Sequence, residues 1–239
     1  MRLDKLLANM GFGTRKTVKN VLKSKEVTVN GTIEKDGKTQ VDPDKDVIFV
    51  SGEAVHYQEF VYFMMHKPQG VVSATTDNLH ETVIDLLKPQ DQVFDPFPVG
   101  RLDKDTEGLL LVTNDGTLAH NLLSPKKHVD KCYEAIIEGL VNEQDIQDFK
   151  DGITLNDGFI CQSAKLEILS TDLEKEQSLI QVTIHEGKFH QVKRMFEAVD
   201  KSVNYLKRLS MGKLQLDETI DLGKYRPLTK EELESLIDA

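Results

Sequence analysis

The hydrophobic pattern changes near residue 60, and this change constrains the fold more than any other feature of the sequence. Before it, apolar residues recur every three or four positions in short stretches, which is typical of small amphipathic helices. After it, dense apolar runs such as residues 60–65 are typical of buried strands. The chain has 239 residues, enough for one small and one medium domain. We therefore predict two domains, 1–57 and 58–239, with a junction at residues 52–60.

The N-terminal part shows the pattern of two short helices followed by a small sheet. Apolar residues at helical spacing predict the inner face of the first helix, formed by Leu3, Leu6, Leu7 and Met10. Thr14 is a suitable N-cap for a second helix. Residues 26–29 lead into Asn30-Gly31, a strong hairpin signal, and the apolar run 47–50 predicts another strand.

Charge is distributed unevenly along the chain. The formal net charge of −10 argues at first against a nucleic-acid partner. Residues 1–40, however, hold nine basic and four acidic residues, a balance of +5, whereas the other 199 residues hold 21 basic and 36 acidic ones, a balance of −15. Several bases fall away from the apolar side of the second predicted helix: Arg15, Lys16, Lys19 and Lys23. Local clustering governs phosphate binding, although a solvated helix face would give the same pattern.

The rest of the sequence predicts strands and helices that do not alternate regularly. Apolar runs predict strands at 109–113, 133–137 and 179–184. Amphipathic stretches at 141–150 and 190–199 predict helices, and a capping box formed by Thr229 and Glu232 predicts a short helix after it. Regular alternation would indicate a doubly wound parallel sheet. We therefore predict an α+β domain with a mixed, mostly antiparallel sheet flanked by helices.

An acidic, glycine-containing segment precedes the predicted strand 109–113. Its carboxylates Asp103, Asp105 and Glu107 have the spacing that begins a calcium-binding loop. That interpretation fails at the twelfth position, where Asn114 stands in place of the required Glu, and the sequence continues as a strand instead of a helix. A solvated acidic turn explains the composition equally well. Because a buried strand follows, we predict a loop held at the edge of a core.

Three further segments place polar groups where the chain turns or enters a regular element. They are 66–73, 131–133 and 186–196. In the last of these, Lys193 and Arg194 lie near the start of a predicted helix, where cations oppose the helix dipole. This arrangement suggests a carboxylate or phosphate nearby, and an ordinary exposed helix start is the alternative. Alone, each segment is a weak signal.

Taken in order, these segments resemble two known families. RLDKLL, TRK and VTVNG resemble the S4 RNA-binding domain. HKPQGVVS, PVGRLDKDTEGLLLVTNDG, KCYEAIIEG and EGKFHQVKRMF resemble the RsuA-type family of rRNA pseudouridine synthases, over nearly the whole chain. The Gly-Arg-Leu-Asp-x-x-Thr-x-Gly element is the most diagnostic. Many relatives read Asn-Arg-Gln-Ile-Arg-Arg where this chain has Phe-His-Gln-Val-Lys-Arg, a form similar to the members that act on small-subunit 16S rRNA.

The resemblance implies that a uridine in rRNA is isomerised to pseudouridine without a cofactor. It gives three catalytic assignments: Asp103 as the carboxylate, Lys193 as its basic partner and Tyr133 as the active-site tyrosine. A carboxylate suits the positive charge that develops at the sugar when the glycosidic bond breaks, and water must be excluded to avoid an abasic site. Asp105 and Glu107 become bystanders. Arg101 is suited to fill the gap that a flipped nucleotide leaves.

RNA contacts are expected from basic residues in both domains. The expected residues are Arg2, Lys5, Arg15, Lys16, Lys19, Lys67, Arg101, His190, Arg194, Lys207 and Arg208. In the S4 family the second helix lies against structured RNA, so its bases would fix position without reading sequence. A structural role explains His190 equally well.

The resulting prediction is an rRNA pseudouridine synthase that acts on 16S rRNA, with the RNA of an assembling small subunit as its partner. A relative acting on large-subunit rRNA is one alternative. A non-catalytic S4-type RNA-binding or ribosome-assembly factor is another, which the set of Asp103, Tyr133 and Lys193 disfavours. No apolar run approaches the roughly 20 residues of a membrane span, so we expect a cytoplasmic protein without membrane contact. We also expect it to act as a monomer. Cys132 and Cys161 are too few for a thiolate zinc site, and we expect no metal.

Overall fold

The structure, a computed structural model, describes residues 1–237 and contains two compact units. The first unit consists of Met1–Val61 together with Leu87–Pro96. The second consists of Tyr62–Leu86 and the chain from Phe97 onward. Across the described residues, no helix has the length and apolar character needed to cross a membrane.

The units differ in two respects from the domains predicted with a boundary at 57/58. Residues 58–61 group with the first unit, and the segment 87–96 returns to it after the second unit has begun. Packing explains the return, because a Cβ built on Gly11 would lie 2.9 Å from Cγ1 of Val93. Val93 therefore packs against the backbone of the first unit, a long-range contact that periodicity does not report.

The first unit combines short helices with a small antiparallel sheet. The helices are α1 (Leu3–Asn9), α2 (Val18–Lys23) and α3 (Pro89–Gln92). The strands are β1 (Val27–Val29), β2 (Thr32–Ile33), β3 (Ile48–Val50) and β4 (Glu53–Ala54). They pair in the order β2-β1-β3-β4. Asn30 and Gly31 turn the chain between β1 and β2 with φ of 51° and 81°, so the predicted hairpin is confirmed with the positive dihedrals that such turns require.

The predicted apolar face of α1 forms the centre of this unit. Leu3, Leu6 and Leu7 have no exposed surface and pack in one cluster with residues of α2, β1 and β3. The predicted cap of α2 is wrong. The helix begins at Val18, and the Thr14 hydroxyl accepts a hydrogen bond from the Thr17 backbone nitrogen at 3.2 Å, one turn ahead of the helix.

The second unit is built on one large mixed sheet. Its strands are β5 (Tyr62–Lys67), β6 (Phe97–Pro98), β7 (Glu107–Thr113), β8 (Lys131–Glu138), β9 (Lys165–Asp172), β10 (Gln177–Ile184), β11 (Ser202–Met211), β12 (Leu214–Gln215) and β13 (Tyr225–Pro227). They pair in the order β13-β5-β7-β11-β8-β10-β9, with β6 on β7 and β12 on β11. Among the described strands, β11 and β7 pair in parallel and the other pairs are antiparallel. The predicted mixed, mostly antiparallel sheet is confirmed.

Helices pack against this sheet. They are α4 (Gly116–Leu123), α5 (Glu143–Asp151), α6 (Gln191–Glu197) and α7 (Lys230–Ile237). The apolar run of β7 is buried almost throughout, and Leu109 and Leu111 share a cluster with residues of α4 and α7. The predicted capping box is confirmed, because the Thr229 nitrogen donates to Glu232 Oε2 at 2.8 Å and the Glu232 nitrogen donates to Thr229 Oγ1 at 3.2 Å.

Candidate active site

A buried lysine fixes the loop that precedes β7. Lys67, the last residue of β5, has no exposed surface, and its Nζ donates to the backbone oxygens of Pro68 (2.9 Å), Asp103 (3.0 Å) and Thr106 (2.9 Å). Burial lowers the pKa of Lys67 to about 8, although nearby carboxylates, first Asp103, oppose the shift. The predicted phosphate contact of Lys67 is contradicted by this burial. Lys67 instead holds the backbone on which Asp103 is displayed.

The same loop is tied to the segment that follows β5. Ser73 Oγ accepts from the Leu102 backbone nitrogen at 3.0 Å and donates to the Leu102 oxygen at 2.9 Å. The Gly70 nitrogen donates to the Lys104 oxygen at 2.7 Å. These hydrogen bonds to the backbone leave little freedom at residues 102–104. The backbone of Asp103, which lies between the bonded residues, is therefore held in place.

Lys193 lies between two carboxylates of this loop. Its Nζ is 3.4 Å from Asp103 Oδ2 and 2.5 Å from Asp105 Oδ1. The predicted neighbours Asp103 and Lys193 are thus brought together, but Asp105 makes the shorter contact. Burial raises the pKa of Asp105, yet the hydrogen bond and charge of Lys193 outweigh burial and lower it overall. The side chains of Lys193 and Asp103 are 17% and 28% exposed, whereas that of Asp105 is 69% exposed.

An aromatic pair stands beside the carboxylate. The His190 Nε2 atom is 3.6 Å from Asp103 Oδ1, and the His190 ring stacks on that of Phe189 with centroids 3.8 Å apart and an interplanar angle of 17°. His190 immediately precedes α6 and adopts the left-handed conformation, with φ of 49°. Phe189 is 72% exposed.

Asp103 and Tyr133 line the same cleft, which has a volume of about 650 Å³ and is called here the Tyr133 cleft. Residues that line it include Arg101, Asp103, Thr106, Lys131, Tyr133 and Lys193. Tyr133 lies on β8 and is buried, opposite Arg208 in the register of β8 and β11. A carboxylate, an ammonium group and a phenol thus border one space large enough for a nucleobase and ribose.

Arg208 is a buried residue of β11. Its Nε donates to the Leu109 oxygen at 2.8 Å, and the guanidinium also borders the Tyr133 cleft. Burial and the charge of Arg208 lower the pKa of Lys131 in the same wall. Arg208 has 2% of its surface exposed but lines the Tyr133 cleft, so its contact with RNA stays a prediction. Lys207 beside it is mostly buried and lies 3.5 Å from Glu218 Oε1.

The other predicted RNA contacts fall into two groups. Arg101 is exposed at the Tyr133 cleft, whereas Arg194 pairs with Asp157. Of the contacts predicted in the first unit, Lys5, Arg15, Lys16 and Lys19 are exposed. Arg2 is exposed as well but forms an ion pair with Asp4 at 2.5 Å. The first-unit bases therefore remain candidates for phosphate contact.

The three loop carboxylates do not converge on a common point. Asp103 and Asp105 face Lys193, whereas Glu107 accepts a hydrogen bond from the Tyr205 hydroxyl at 2.8 Å. Burial and this carboxylate raise the pKa of Tyr205. Within residues 1–237, no group of three or more His, Cys, Asp or Glu side chains is placed to hold a metal ion.

Sequence reasoning missed two features of the site. Asp105 makes the shorter contact with Lys193, and its position two residues from Asp103 in one loop was the signal for that contact. Phe189 stands exposed at the cleft, and its signal was an aromatic residue inside a polar run, EGKFHQ. Neither signal was specific without the geometry.

Comparison with known proteins defines the class to which this fold and site belong. Residues 61–198 match the family model described as RNA pseudouridylate synthase, and residues 1–48 match the S4 domain. A solved structure described as "Crystal structure of pseudouridylate synthase" is 36% identical, with a TM-score of 0.68 and 99% of each chain covered.

Curated relatives agree over the full length. The chain is 54% identical to the Uncharacterized RNA pseudouridine synthase YtzG of Bacillus subtilis over 99% of this chain and 98% of that one. It is 38% identical to Ribosomal small subunit pseudouridine synthase A of Yersinia pestis (99% and 98% covered) and 39% identical to Ribosomal large subunit pseudouridine synthase B of Bacillus subtilis (98% and 95% covered). The chain therefore belongs to the RsuA-type family of rRNA pseudouridine synthases, with an N-terminal S4 domain.

Proposed function

We propose that this protein isomerises a uridine of 16S rRNA in the Tyr133 cleft, with Asp103 as the catalytic carboxylate. The observation that carries the assignment is the position of Asp103. It borders the cleft, its backbone is held by Lys67, and its carboxylate lies 3.4 Å from Lys193 Nζ. Asp105 and Glu107 occupy the same segment, but neither combines these three properties.

The isomerisation breaks the bond between C1′ and N1 and forms a bond between C1′ and C5. A proton leaves C5 and one is gained at N1, so atoms balance without a cofactor. Asp103 supplies the negative charge that the electron-poor C1′ requires. Tyr133 stacks on the uracil, and its hydroxyl relays a proton: the oxygen takes up the C5 proton as the phenol passes its own proton on, so the net change is loss from C5 and gain at N1. A hydrolase would need a second carboxylate to activate water, and Lys193 holds Asp105 in an ion pair instead.

Lys193 and Arg101 prepare the site for this chemistry. The Lys193 ammonium, 3.4 Å from Asp103 Oδ2, offsets the negative charge of that carboxylate and restricts its rotamer. Arg101, exposed at the cleft, fills the space that the flipped nucleotide leaves. Flipping costs a few kcal/mol and least in single strands, so an unpaired or weakly paired uridine is the proposed target.

Support for 16S rRNA comes from the form of the segment that begins α6. Phe-His-Gln-Val-Lys is similar to the members that act on small-subunit rRNA. The small-subunit and large-subunit relatives are 38% and 39% identical to the chain, so overall identity favours neither. Pseudouridine mapping in 16S and 23S rRNA of a deletion strain tests the choice, because the missing modification identifies the target. Loss of a 23S position alone would overturn the 16S proposal.

Asp103→Asn tests the catalytic assignment. The amide keeps the shape and hydrogen-bonding capacity of the side chain but removes its charge. We expect pseudouridine formation to fall by several orders of magnitude with RNA binding nearly intact. Asp105→Asn and Glu107→Gln are matched controls and should keep most activity. Appreciable turnover by Asp103→Asn would refute the assignment.

The same experiment addresses the alternative of a non-catalytic S4-type assembly factor, since a wild-type protein without turnover on any rRNA fragment would favour it. The proposed setting is the cytoplasm, with rRNA in an assembling small subunit as the partner and the enzyme acting as a monomer. Activity on naked 16S fragments against partly assembled particles distinguishes the two substrate forms.

A further inference from the structure

Two spaces share one wall at the candidate site. The first is the Tyr133 cleft. The second, called here the Ser73 hollow, has a volume of about 770 Å³ and is lined by Gly70, Val72, Ser73, Ala74, Asp77 and Lys104. Arg101, Leu102, Asp103, Phe189 and His190 border both spaces. The carboxylate and the aromatic pair therefore stand between a space for the target uridine and a second space that the proposed reaction leaves unused.

Phe189 is the unusual member of this wall. The residue is 72% exposed. Its ring lies parallel to that of His190, which in turn approaches Asp103 at 3.6 Å. Core packing does not account for a large aromatic ring held in this position. Exposed aromatic rings beside a catalytic cleft are the means by which RNA-binding proteins hold unpaired bases.

The charges around the Ser73 hollow fit a nucleotide. Lys104 is exposed at its edge and can meet a phosphate beside the base, and Arg101, exposed on the shared wall, adds positive charge. Asp77 and Asp105 are the opposing charges beside Asp103. Asp105 forms an ion pair with Lys193 at 2.5 Å. Asp77 Oδ1 accepts from the backbone nitrogens of Leu79 and His80, both at 2.8 Å, and these bonds lower the pKa of Asp77. Its lone pairs are thus directed partly into its own turn.

We propose that the Phe189–His190 pair and the Ser73 hollow form a subsite for an unpaired nucleobase that neighbours the target uridine. The proposal rests on the proposed function, because it needs a uridine in the Tyr133 cleft. One base enters the cleft beside Asp103, and the adjacent base stacks on Phe189 on the other side of the wall. Stacking tolerates every base, so this subsite selects unpaired RNA over duplex and selects little by sequence.

A single tryptophan tests the stacking directly. The chain contains no Trp, so Phe189→Trp creates the only one and its emission reports on that position. The Asp103→Asn substitution in the same protein prevents turnover. The probes are two short single-stranded RNAs of equal charge, one with a uridine between adenosines and one with the uridine between abasic riboses.

The adenosine strand is expected to quench the Trp emission and to bind about tenfold more tightly than the abasic strand. A purely electrostatic contact predicts equal binding and equal emission for the two strands, because their phosphates are the same. That result would overturn the subsite.

Turnover separates the subsite from the catalytic assignment. Phe189→Leu removes the ring but keeps apolar bulk, and it should raise KM about tenfold with kcat little changed. Phe189→Tyr keeps an aromatic ring and should have a KM near that of the wild type. Leu173→Ala is the matched control, since Leu173 is 74% exposed on the turn between β9 and β10. Failure of the proposed function would show as turnover that survives Asp103→Asn. Failure of the subsite would show as a normal KM in Phe189→Leu while Asp103→Asn is inactive.

Discussion

At the scale of single residues, Lys193 interacts with two carboxylates of the site and not with Asp103 alone. It is the cation of two carboxylates in one loop, at 3.4 Å and 2.5 Å. The ammonium offsets the repulsion that Asp103 and Asp105 would otherwise exert on each other. The short contact to Asp105 also holds Lys193 in place. Asp105 takes no part in the reaction itself but helps to position Lys193, which supports Asp103.

Removing this cation should impair turnover more than binding. In Lys193→Met the two carboxylates repel each other without compensation, and we expect kcat to fall at least about tenfold with KM little changed. Lys193→Arg keeps the charge and should be milder. Adding Asp105→Asn to Lys193→Met should restore part of kcat. A wild-type kcat in Lys193→Met would show that the pair does not support catalysis.

Lys67 gives a stability prediction whose sign follows from its pKa. Burial lowers that pKa from 10.5 to about 8, so between these values the unfolded chain binds a proton that the folded chain has lost. The free energy of unfolding should therefore rise with pH across this window, by at most about 1.4 kcal/mol per pH unit.

Lys67→Met removes this pH dependence and leaves three carbonyl oxygens, buried or partly buried, without this donor. We expect a loss of about 2 kcal/mol or more at neutral pH and a flatter profile above pH 8. Denaturant unfolding of both proteins at several pH values measures the difference. Parallel profiles would mean that folding does not shift the pKa of Lys67.

At the scale of elements, the contact between β7 and β11 positions the catalytic loop. Gly108 pairs with Arg208 in the parallel register, with φ of +106°. A Cβ on Gly108 would lie 2.2 Å from the Arg208 oxygen. The two backbones therefore approach as only glycine permits, and the strand that follows the Asp103 loop is fixed beside the strand that carries Arg208.

Gly108→Ala should destabilise the second unit by about 2–4 kcal/mol, because neither the backbone oxygen nor the dihedral can adjust locally. Gly116→Ala is the control. Gly116 begins α4, has nothing within 4 Å of a built Cβ and has no positive φ, so alanine should be neutral or slightly stabilising there. Thermal unfolding compares the two. Equal midpoints would show that the β7–β11 contact relaxes freely.

Local patterns predicted the elements better than the contacts between them. The continuous apolar run of β7, the hairpin at Asn30-Gly31 and the Thr229 capping box depend on neighbours in sequence, and the structure has all three. The burial of Lys67 depends on carbonyl groups 36 and 39 residues away, and the second partner of Lys193 lies 88 residues away. Such contacts exist only once the sheet has formed, so spacing alone could not predict them.

At the scale of the whole molecule, the uneven charge and the family match point in the same direction. The S4 match covers residues 1–48, and the +5 balance lies in residues 1–40. The segment 87–96 belongs to the same unit, so removing the N-terminal residues would strip that segment of its packing partners. The contribution of the first unit to RNA binding is therefore best measured in the intact chain, by changing charge without changing fold.

The triple variant Arg15→Gln, Lys16→Gln, Lys19→Gln makes that change on three exposed side chains. Each phosphate contact adds about 0.7 to 0.9 to the salt dependence of binding, so loss of three should lower the slope by about 2 to 3. KM should rise and kcat should stay near its wild-type value, since Asp103, Tyr133 and Lys193 are untouched. The matched control replaces three exposed lysines of the second unit, Lys150, Lys165 and Lys175, and should leave the slope nearly unchanged. If the two triple variants lower the slope equally, RNA attraction comes from overall charge, and these basic residues of the first unit are only a solvated surface.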